Sequence, residues 1–423
     1  MECAFSSESG ALPVNEDAGR VWESSGFFAV CDGLSSGKGG GETASRVALD
    51  TLGAWAESQA DTIAKAGALN SKLVRDSVKG RLGNAVQEAS RAVFQAAQGE
   101  PRLHNICTTL DAILLLGGHA LVAHVGSGRV YLARRGELHQ LTEDHPQLAQ
   151  LRRTGKLADV PAAQQASMAK RLLRAVGFRE EVQVDLFPVE LEAGDRFFVV
   201  TDGIWGALPF DELEKLLLAG GKPSAVLEAL HQRVGPGKAK DNFTTLVLDP
   251  QAAVPAAPET SAETKIKMLG TVPAFAFLSY QELIRVINTG ELVKLGAGQE
   301  IWKENSVGDE MMLLLSGSVE ILKNGKRLNV LRKGDVIGEM SMIDSAPRSA
   351  SVVTAEATNL LAFPREALFS LLREETDLAV KFLWGMSMEL NKRIRTLSAQ
   401  VAGGAAAPAP ARGGPLPFHR GEA

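Results

Sequence analysis

The sequence predicts an α+β protein with two folded blocks: antiparallel sheets covered by helices, then a small β-roll with flanking helices. The blocks, 1–249 and 265–400, are separated by residues 250–264, where prolines lie among alanines without an apolar period, as is typical of a linker. In the first block, short apolar runs and hairpin signals stand apart from helical segments. In the second, glycines recur at the spacing of a β-roll. Residues 401–423, rich in Ala, Pro and Gly, are predicted to be a disordered tail.

Bulk composition excludes several classes of protein. The chain has 423 residues, more than one hydrophobic core usually organises, with an ordinary 45% hydrophobic and 22% charged residues. The net charge of −5 argues against a nucleic-acid partner, and no apolar run approaches the roughly 20 residues that span a bilayer. The N-terminus lacks the basic region and apolar core of a secretory signal, and three separate cysteines form no Cys-x-x-Cys pair. We therefore expect a cytoplasmic protein with no membrane partner.

Apolar periodicity locates the elements of the first block. Phe27–Cys31 is predicted to be a buried strand that ends at Asp32-Gly33, and Gly41–Ala56 is predicted to be a helix. A second helix follows from the 3.6-residue spacing of the apolar residues Leu82, Val86, Ala89 and Val93. The other predicted elements are the strands Ala112–Leu116, Ala120–Val125, Arg196–Val200 and Phe243–Leu248, and a hairpin over Arg129–Leu141 that turns at Arg135-Gly136.

The second block opens with a predicted helix near Tyr280–Asn288 and then becomes rich in strands. A strong hairpin signal, Asn324-Gly325, precedes a strand at Leu328–Leu331. From Asp377 to Gln400 the pattern returns to an amphipathic helix. Two further strands flank a turn at Ser316-Gly317, namely Met311–Leu315 and Ser318–Leu322.

Four acidic sites of the first block lie at or just beyond a short apolar run: Glu16-Asp17, Asp32-Gly33, Asp202-Gly203 and Asp241-Asn242. Each pair alone reads as a turn, because Asp-Gly and Asp-Asn are turn formers. Together, carboxylates and a glycine carbonyl at neighbouring strand ends make a hard-oxygen site for Mg²⁺ or Mn²⁺. Two such ions roughly 3.5–4 Å apart can share one Asp, lower the pKa of a bridging water and direct the hydroxide at phosphorus.

These motifs, in this order, resemble the metal-dependent protein phosphatases of type 2C, the PPM family. The resemblance covers nearly all of the first block and implies a PPM-type α-β-β-α sandwich. The motifs that carry it are Asn15-Glu16-Asp17, then Phe28-Ala29-Val30-Cys31-Asp32-Gly33 with Glu42-Thr43-Ala44-Ser45 behind it, Thr108-Thr109-Leu110, the hairpin from Val125 to His145, Thr201-Asp202-Gly203 and Asp241-Asn242.

The resemblance implies a role for each acidic residue. Asp32 would bridge two metal ions, Mg²⁺ or Mn²⁺, and the carbonyl of Gly33 would bind one of them. Asp202 and Asp241 would complete the first metal, so Asp32, Asp202 and Asp241 are the candidate catalytic residues. The substrates would be phosphoserine and phosphothreonine proteins, hydrolysed by direct attack of water without a phosphoenzyme, and a cognate Ser/Thr kinase system would be a further partner.

The second metal would be served by Glu16 or Asp17, directly or through water. Two other positions depart from the family pattern. Leu12 stands where the family has an Arg that grips substrate phosphate, and loss of that contact removes about 1.5–3 kcal/mol. Lys38 is a candidate substitute, and a solvated loop lysine is the alternative. Ser127 replaces the Asp of a Val-Gly-Asp-Ser-Arg motif, which should weaken or abolish a third metal site.

The most specific motif of the second block runs from Gly338 to Val352 and reads GEMSMIDSAPRSASV. A short helix starting near Glu339 would point backbone N–H groups at an anion. Arg348 supplies a planar guanidinium for phosphate oxygens, and Glu339 can accept a ribose 2′-OH; a plain ion pair is the alternative. The candidate ligand-binding residues are Gly338, Glu339, Met340, Arg348, Ser349 and Ala350.

This motif closely resembles the phosphate-binding cassette of cyclic-nucleotide-binding domains, over about 270–397. The resemblance implies cAMP or cGMP as a regulatory ligand. A hydroxyl at Ser349 suits a syn guanine, yet some cAMP binders have Ser there, and we favour cAMP. Phe382 or Trp384 is a candidate to stack on the base, with core packing as the alternative. The whole chain therefore predicts a bacterial-type phosphatase tuned by a cyclic nucleotide; the alternative is a degraded phosphatase fold that acts as a nucleotide sensor or scaffold.

Overall fold

The computed structural model of the chain describes residues 1–35, 39–69, 71–145, 174–235, 239–250, 257–339, 342 and 346–401. The chain divides into two compact units, Met1–Ala262 and Glu263–Ala423. No helix in these described ranges is long and apolar enough to cross a bilayer.

The first unit is built on two antiparallel sheets. One has the strand order β1-β11-β10-β7-β8, and the other has the order β2-β3-β5-β6-β9, with β4 paired to β3. The sheets pack face to face: a Cβ placed on Gly19 would lie 2.3 Å from the ring of Phe5 on the other sheet. The strands are β1 Glu2–Glu8, β2 Asp17–Trp22, β3 Phe27–Leu34, β4 Cys107–Thr108, β5 Leu110–Leu116, β6 His119–Val125, β7 Arg129–Arg134, β8 Glu137–Gln140, β9 Asp185–Glu190, β10 Arg196–Val200 and β11 Phe243–Asp249.

Helices cover the outer face of each sheet, which gives the expected α-β-β-α layers. Leu52 and Leu82 from the helices share one buried apolar cluster with Phe27 and Leu114 of the β2-β3-β5-β6-β9 sheet. An equivalent cluster joins helices to β10 and β11 of the other sheet. The layer on the β2-β3-β5-β6-β9 sheet comprises α1 Gly41–Ser58, α2 Ala60–Leu69 and α3 Lys72–Gly99, and the layer on the β1-β11-β10-β7-β8 sheet comprises α4 Asp202–Trp205, α5 Phe210–Leu217 and α6 Pro223–Val234.

Local structure differs from the sequence expectations at two places. The strand predicted to end at Asp32-Gly33 continues to Leu34, because Gly33 pairs with Thr108 of β4 and its N–H donates to the carbonyl of Glu16 at 3.1 Å. The predicted linker 250–264 contains a 3₁₀ turn at Pro258–Thr260 and the start of helix α7, Ala262–Thr271. Proline is tolerated at the first position of a helix, so the prolines here do not exclude helical structure.

The second unit contains two four-stranded antiparallel sheets within its described residues, as expected for a β-roll. Their orders are β12-β19-β14-β17 and β13-β18-β15-β16. The strands are β12 Glu291–Leu295, β13 Glu300–Trp302, β14 Glu310–Ser316, β15 Ser318–Lys323, β16 Lys326–Arg332, β17 Val336–Ile337, β18 Ser351–Thr354 and β19 Thr358–Pro364. The flanking helices are α8 Tyr280–Thr289, α9 Arg365–Glu374 and α10 Thr376–Val401.

The hairpin signal of the second unit is confirmed. Asn324 and Gly325 adopt positive φ of 49° and 73°, as a type I′ turn requires, and they join β15 to β16. Ser279 and Glu282 form a reciprocal capping box at the start of α8. Phe382 is 2% exposed and its ring centroid lies 5.3 Å from that of Phe275, so this residue packs in the core, as the alternative for it stated.

Candidate metal centre and nucleotide site

Antiparallel pairing of β2 with β3 places Asp17 directly opposite Asp32. Hydrogen bonds to the next strand hold the backbone of Asp32. Its N–H donates to Oγ1 of Thr109 at 2.9 Å, and its carbonyl accepts from Oγ1 of Thr108 and from the N–H of Thr109, each at 2.9 Å. The two threonines, predicted from the sequence only as part of a motif, therefore fix the backbone position from which the Asp32 side chain extends.

Asp17 joins the two sheets. Its side chain is buried, 6% exposed, and its Oδ2 accepts hydrogen bonds from Oγ1 of Thr201 and Oγ1 of Thr244, each at 2.8 Å. Thr201 immediately precedes Asp202, and Thr244 follows Asp241 by three residues. The late aspartates are thereby brought to the same edge as Asp17 and Asp32.

The electrostatics of this edge are those of crowded carboxylates. Burial raises the pKa of Asp17 to about 7, the two threonine hydroxyls oppose this, and the charge of Asp202 adds to it. Burial, and then the charges of Asp17, Asp202 and Asp241, raise the pKa of Asp32 well above its usual range. Four carboxylates whose ionised forms repel one another are an oxygen donor set that a divalent cation stabilises, so these residues fit Mg²⁺ or Mn²⁺.

Gly33 is required by close backbone packing. A Cβ at this position would lie 2.2 Å from the carbonyl oxygen of Gly41 and 2.5 Å from that of Glu16. The carboxylate of Glu16 accepts hydrogen bonds from the N–H of Gly41 and Oγ of Ser35, both at 3.1 Å. Of the two residues considered for the second metal, Asp17 is therefore the one in the carboxylate cluster, and Glu16 is bound to the start of α1.

Asn242 anchors the loop that leads to Asp17. Its Oδ1 accepts from the N–H of Glu16 at 2.9 Å, and its Nδ2 donates to the carbonyls of Ser9 and Val14 at 2.9 and 3.0 Å. Asp241, which precedes it, is exposed at the rim of the site. The sequence identified Asn242 only as half of a turn-forming pair, since its partners lie more than 220 residues away.

The loop that contains Ser127 is held by residues that the sequence did not single out. Nε1 of Trp205, on the short helix that begins with Asp202, donates to the carbonyl of Ser127 at 3.1 Å. A Cβ on Gly128 would lie 1.9 Å from Oδ2 of Asp111, which is 1% exposed. A buried carboxylate, on the neighbouring strand β5, thus packs against the loop in which Ser127 replaces the family's Asp.

Two buried histidines lie behind this loop. Nδ1 of His124 is 2.7 Å from Oδ1 of Asp111, and its Nε2 is 3.0 Å from the carbonyl of Glu143. Both nitrogens face acceptors, which favours the protonated form; burial opposes protonation, but Asp111 outweighs it and raises the pKa of His124. His145 accepts from the N–H of Gly126 at 3.1 Å, and burial lowers its pKa to about 4.

His145 is therefore neutral at physiological pH and donates from Nε2 to Oδ2 of Asp185 at 3.1 Å. It is 5% exposed. Its contacts are internal to the first unit. Lys38, the candidate substitute for the missing arginine, lies outside the described residues.

In the second unit, Arg348 lies in a tight cradle. It is 5% exposed, its Nη2 donates to the carbonyl of Glu310 at 2.8 Å, and its guanidinium carbon lies 3.8 Å from the centroid of the Trp302 ring. Cβ atoms on Gly308 and Gly338 would lie 2.2 and 2.5 Å from guanidinium nitrogens of Arg348. Burial lowers the pKa of Arg348, and the charge of Glu310 opposes this; an anion beside the guanidinium would offset the cost of burying its charge.

Other cassette residues lie around this cradle. Gly338 has a positive φ of 78°, which suits glycine, and Glu339 follows it directly. Ala350 is buried, 8% exposed, and Ser349 is exposed. Met340 lies outside the described residues, as does most of the short helix predicted near Glu339.

Comparisons with known proteins assign both units. Residues 9–243, more than half of the chain, match the family model described as protein phosphatase 2C. The chain therefore belongs to the protein phosphatase 2C family of metal-dependent protein serine/threonine phosphatases. Residues 292–375 match the model of the cyclic nucleotide-binding domain.

Individual relatives agree with this assignment. The chain is 29% identical over 254 residues to the serine/threonine phosphatase stp of Listeria monocytogenes, covering 59% of this chain and 96% of that protein. It is 27% identical over 220 residues to the protein phosphatase PhpP of Streptococcus pneumoniae, covering 51% and 83%. A crystal structure of a bacterial serine phosphatase shares the fold at a TM-score of 0.50 and 23% identity, covering 60% of this chain and 99% of that one.

Proposed function

We propose that the first unit hydrolyses phosphoserine and phosphothreonine in proteins at the carboxylate cluster, with two divalent cations held there. The ligands would be Asp32, Asp202 and Asp241, with Asp17 and the Gly33 carbonyl at the second ion. The observation that carries this proposal is the gathering of carboxylates at one edge of the sheets, where Asp17 lies opposite Asp32 and accepts hydrogen bonds from the threonines beside Asp202 and Asp241. Bound cations would supply Lewis-acid stabilisation of phosphate and activation of water.

The chain's own residues hold the carboxylates of the cluster in place. The Asp32 backbone is fixed by Thr108 and Thr109, and the Asp17 carboxylate is held by two hydroxyls, so neither side chain must reorganise when cations and substrate bind. No step requires a covalent phosphoenzyme in this proposal, because the residues that gather at the edge are carboxylates suited to hold hard cations.

The test is hydrolysis of a phosphothreonine peptide by the full chain with Mn²⁺ or Mg²⁺, measured as released phosphate. Asp32→Asn is expected to lower kcat by at least about 100-fold, since it removes the shared ligand. Asp50→Asn, at an exposed carboxylate paired with Arg20, is the matched control and should keep wild-type turnover. Wild-type turnover no higher than that of Asp32→Asn would refute catalysis.

A second candidate function is a non-catalytic sensor built on the same fold. Leu12, 38% exposed, offers no cation to substrate phosphate, and Ser127 offers no carboxylate. This reading predicts that Mn²⁺ raises the melting temperature while released phosphate stays at background. The assay above, run beside a melting curve with Mn²⁺, separates the two functions.

We further propose that the second unit binds cAMP or cGMP and that the bound nucleotide regulates the phosphatase. The support is the buried Arg348 guanidinium, cradled by two glycines and followed by the exposed Ser349. Arg348 would contact the cyclic phosphate, and Glu339 the ribose. A cognate Ser/Thr kinase system, whose phosphoproteins the first unit would hydrolyse, is the further partner that we propose.

Calorimetric titration of cAMP and cGMP into the full chain tests the ligand. Arg348→Gln is expected to weaken binding by about 10- to 100-fold, because a charge-assisted contact is lost. Arg327→Gln, at an exposed arginine on β16, is the control.

Phosphate release with and without saturating nucleotide tests regulation, for which a change of about 5- to 150-fold corresponds to ordinary coupling. Bound nucleotide with unchanged turnover would refute regulation but not binding.

A further inference from the structure

A run of four apolar residues, Ala11-Leu12-Pro13-Val14, is exposed in the loop between β1 and β2. Leu12 is 38% exposed and Val14 is 46% exposed. Consecutive exposed apolar residues destabilise a surface unless they contact something, so such a run indicates a functional surface.

The run is anchored at the rim of the carboxylate cluster. The Asn242 side chain donates to the carbonyl of Ser9, just before the run, and to that of Val14, its last residue, and Asn242 directly follows Asp241. Gly10 is packed so closely that its Cβ would lie 2.2 Å from the carbonyl oxygen of Asp241. Asn15 accepts from the N–H of Asp17 at 3.2 Å. The apolar run therefore has a fixed position beside two of the acidic residues.

A peptide whose phosphate lies at the cluster must pass close to this run. Consecutive residues are about 3.8 Å apart, so the neighbours of the phosphoresidue lie within roughly 4–8 Å of it along the chain. We propose that Leu12 and Val14 form an apolar subsite that binds a hydrophobic side chain of the substrate next to the phosphoserine or phosphothreonine. This inference rests on the proposed phosphatase function and adds the sequence class of its substrates.

The test compares two phosphothreonine peptides of equal length, one with leucines on both sides of the phosphoresidue and one with serines. The full chain with Mn²⁺ is expected to show about tenfold higher kcat/KM for the leucine peptide. Leu12→Ser/Val14→Ser should bring the ratio of the two values close to one. The matched control is Leu73→Ser, at a leucine 82% exposed on α3, which should keep the wild-type ratio.

Free phosphothreonine, which has no neighbouring residue, separates failure of the subsite from failure of the function. Wild-type hydrolysis of free phosphothreonine with equal kcat/KM for both peptides would refute the subsite alone. Absence of hydrolysis of all three substrates would refute the proposed function. The single variant Leu12→Ser changes only an exposed side chain, so it tests the ratio even if the double variant does not fold.

A second inference comes from helix α10. Five apolar side chains in the described part of this helix are exposed, and four of them share a regular spacing: Val380 at 42%, Leu383 at 61%, Leu390 at 48% and Ile394 at 61%. They lie at two positions of a seven-residue repeat. One position holds Val380, Ser387, Ile394 and Val401 in the sequence, and the other holds Leu383, Leu390 and Leu397. β-Branched residues at one position of a heptad and leucine at the other favour a parallel two-stranded coiled coil.

We infer that α10 pairs in parallel, in register, with α10 of a second copy of this chain. A parallel pair places each apolar position opposite its own copy, which fits a stripe that is the same on both partners. From Val380 to Ile394 the exposed stripe is about 21 Å long on a helix about 10 Å wide, so the paired stripes cover roughly 400 Å². This is below the roughly 1,000 Å² of a stable interface, so the dimer should dissociate on dilution.

Light scattering of the full chain across roughly 1–100 μM tests the pairing, since such weak interfaces have dissociation constants in this range. The mass is expected to rise toward the dimer, and Leu390→Asp/Ile394→Asp should keep the monomer mass throughout. Met388→Asp, at an apolar residue 39% exposed beside the stripe, is the matched control and should still dimerise. A monomer at all concentrations, or equal loss in the control, would refute the inference.

Ser387→Cys tests the orientation in a Cys3→Ser background, with Cys31 and Cys107 buried. In a parallel pair in register, the two introduced thiols face each other and cross-link under a mild oxidant, whereas an antiparallel pair keeps them apart. Met388→Cys should cross-link much less. Equal cross-linking of the two variants would refute the parallel register.

Discussion

The metal-free carboxylate cluster should weaken the folded state at neutral pH, and Asp17→Asn should relieve this. The pKa of Asp17 is raised from 3.8 to about 7. A carboxyl group with a raised folded pKa binds its proton more tightly in the folded state. The free energy of unfolding therefore falls as pH rises from 3.8, and it reaches its lowest level above about pH 7.

The size of this effect follows from the shift. About three pKa units at 1.36 kcal/mol each correspond to about 4 kcal/mol at pH 8, and to about 2 kcal/mol at pH 5, where the unfolded carboxyl is already ionised. Asn keeps an oxygen for the hydroxyls of Thr201 and Thr244 and carries no charge. In EDTA, Asp17→Asn should thus gain stability over the wild type between pH 5 and pH 8 by about 2 kcal/mol.

Urea unfolding in EDTA at pH 5 and pH 8, followed by circular dichroism, measures this difference. Asp50→Asn, at an exposed carboxylate, is the control and should show no pH-dependent gain. With excess Mn²⁺ the wild type should recover stability and Asp17→Asn should recover less, because a cation binds the charged cluster more tightly. A stability difference between Asp17→Asn and the wild type that is the same at both pH values would refute the reasoning.

Three further outcomes are expected. The His145 pKa of about 4 lies below its ordinary 6.5, so neutral His145 stabilises the folded state above pH 6.5 and this stabilisation is lost as pH falls to 4. In His145→Gln, the free energy of unfolding in urea should fall by about 3 kcal/mol less between pH 6.5 and pH 4 than in the wild type. An equal fall in both proteins would contradict this. Gly33→Ala should cost about 1–3 kcal/mol of unfolding free energy, because its Cβ meets a backbone carbonyl oxygen at 2.2 Å; a cost below 0.5 kcal/mol would refute that packing. Leu12→Arg should raise kcat/KM for free phosphothreonine by about tenfold through a new guanidinium–phosphate contact, with Leu73→Arg as the control and an equal effect of both as the contrary result.

Much of the fold was predictable because the local apolar and turn patterns of the sequence match the buried faces and turns of the folded layers. The stripe of Leu82, Val86 and Val93 is buried on α3, and the turn at Arg135-Gly136 joins β7 to β8 as expected. The N-terminal strand β1 was not predicted. Its residues Ser6 and Ser7 are polar, and it exists because it pairs with β11 nearly 240 residues later, which no local pattern encodes.

The acidic residues of the site were predictable as a set, through motifs that resemble a family, but their surroundings were not. Asp111 lies in an otherwise apolar strand, and its partner His124 is the cross-strand residue of the next strand. Reading that pair required the register of β5 against β6. The hydrogen bonds that Asn242 makes to the loop before Asp17 were likewise not predictable, because a turn signal carries no information about distant carbonyl partners.

The position of Asp17 explains why the site is assembled only in the complete first unit. Asp17 belongs to β2 of one sheet, and the hydroxyls that bind it lie beside β10 and on β11 of the other sheet. Carboxylates from both sheets are thus forced together by packing whose apolar contacts outweigh their repulsion. A cation bound there would stabilise the face-to-face arrangement of the sheets as well as the site, so metal affinity and the stability of the first unit should change together in variants of this edge.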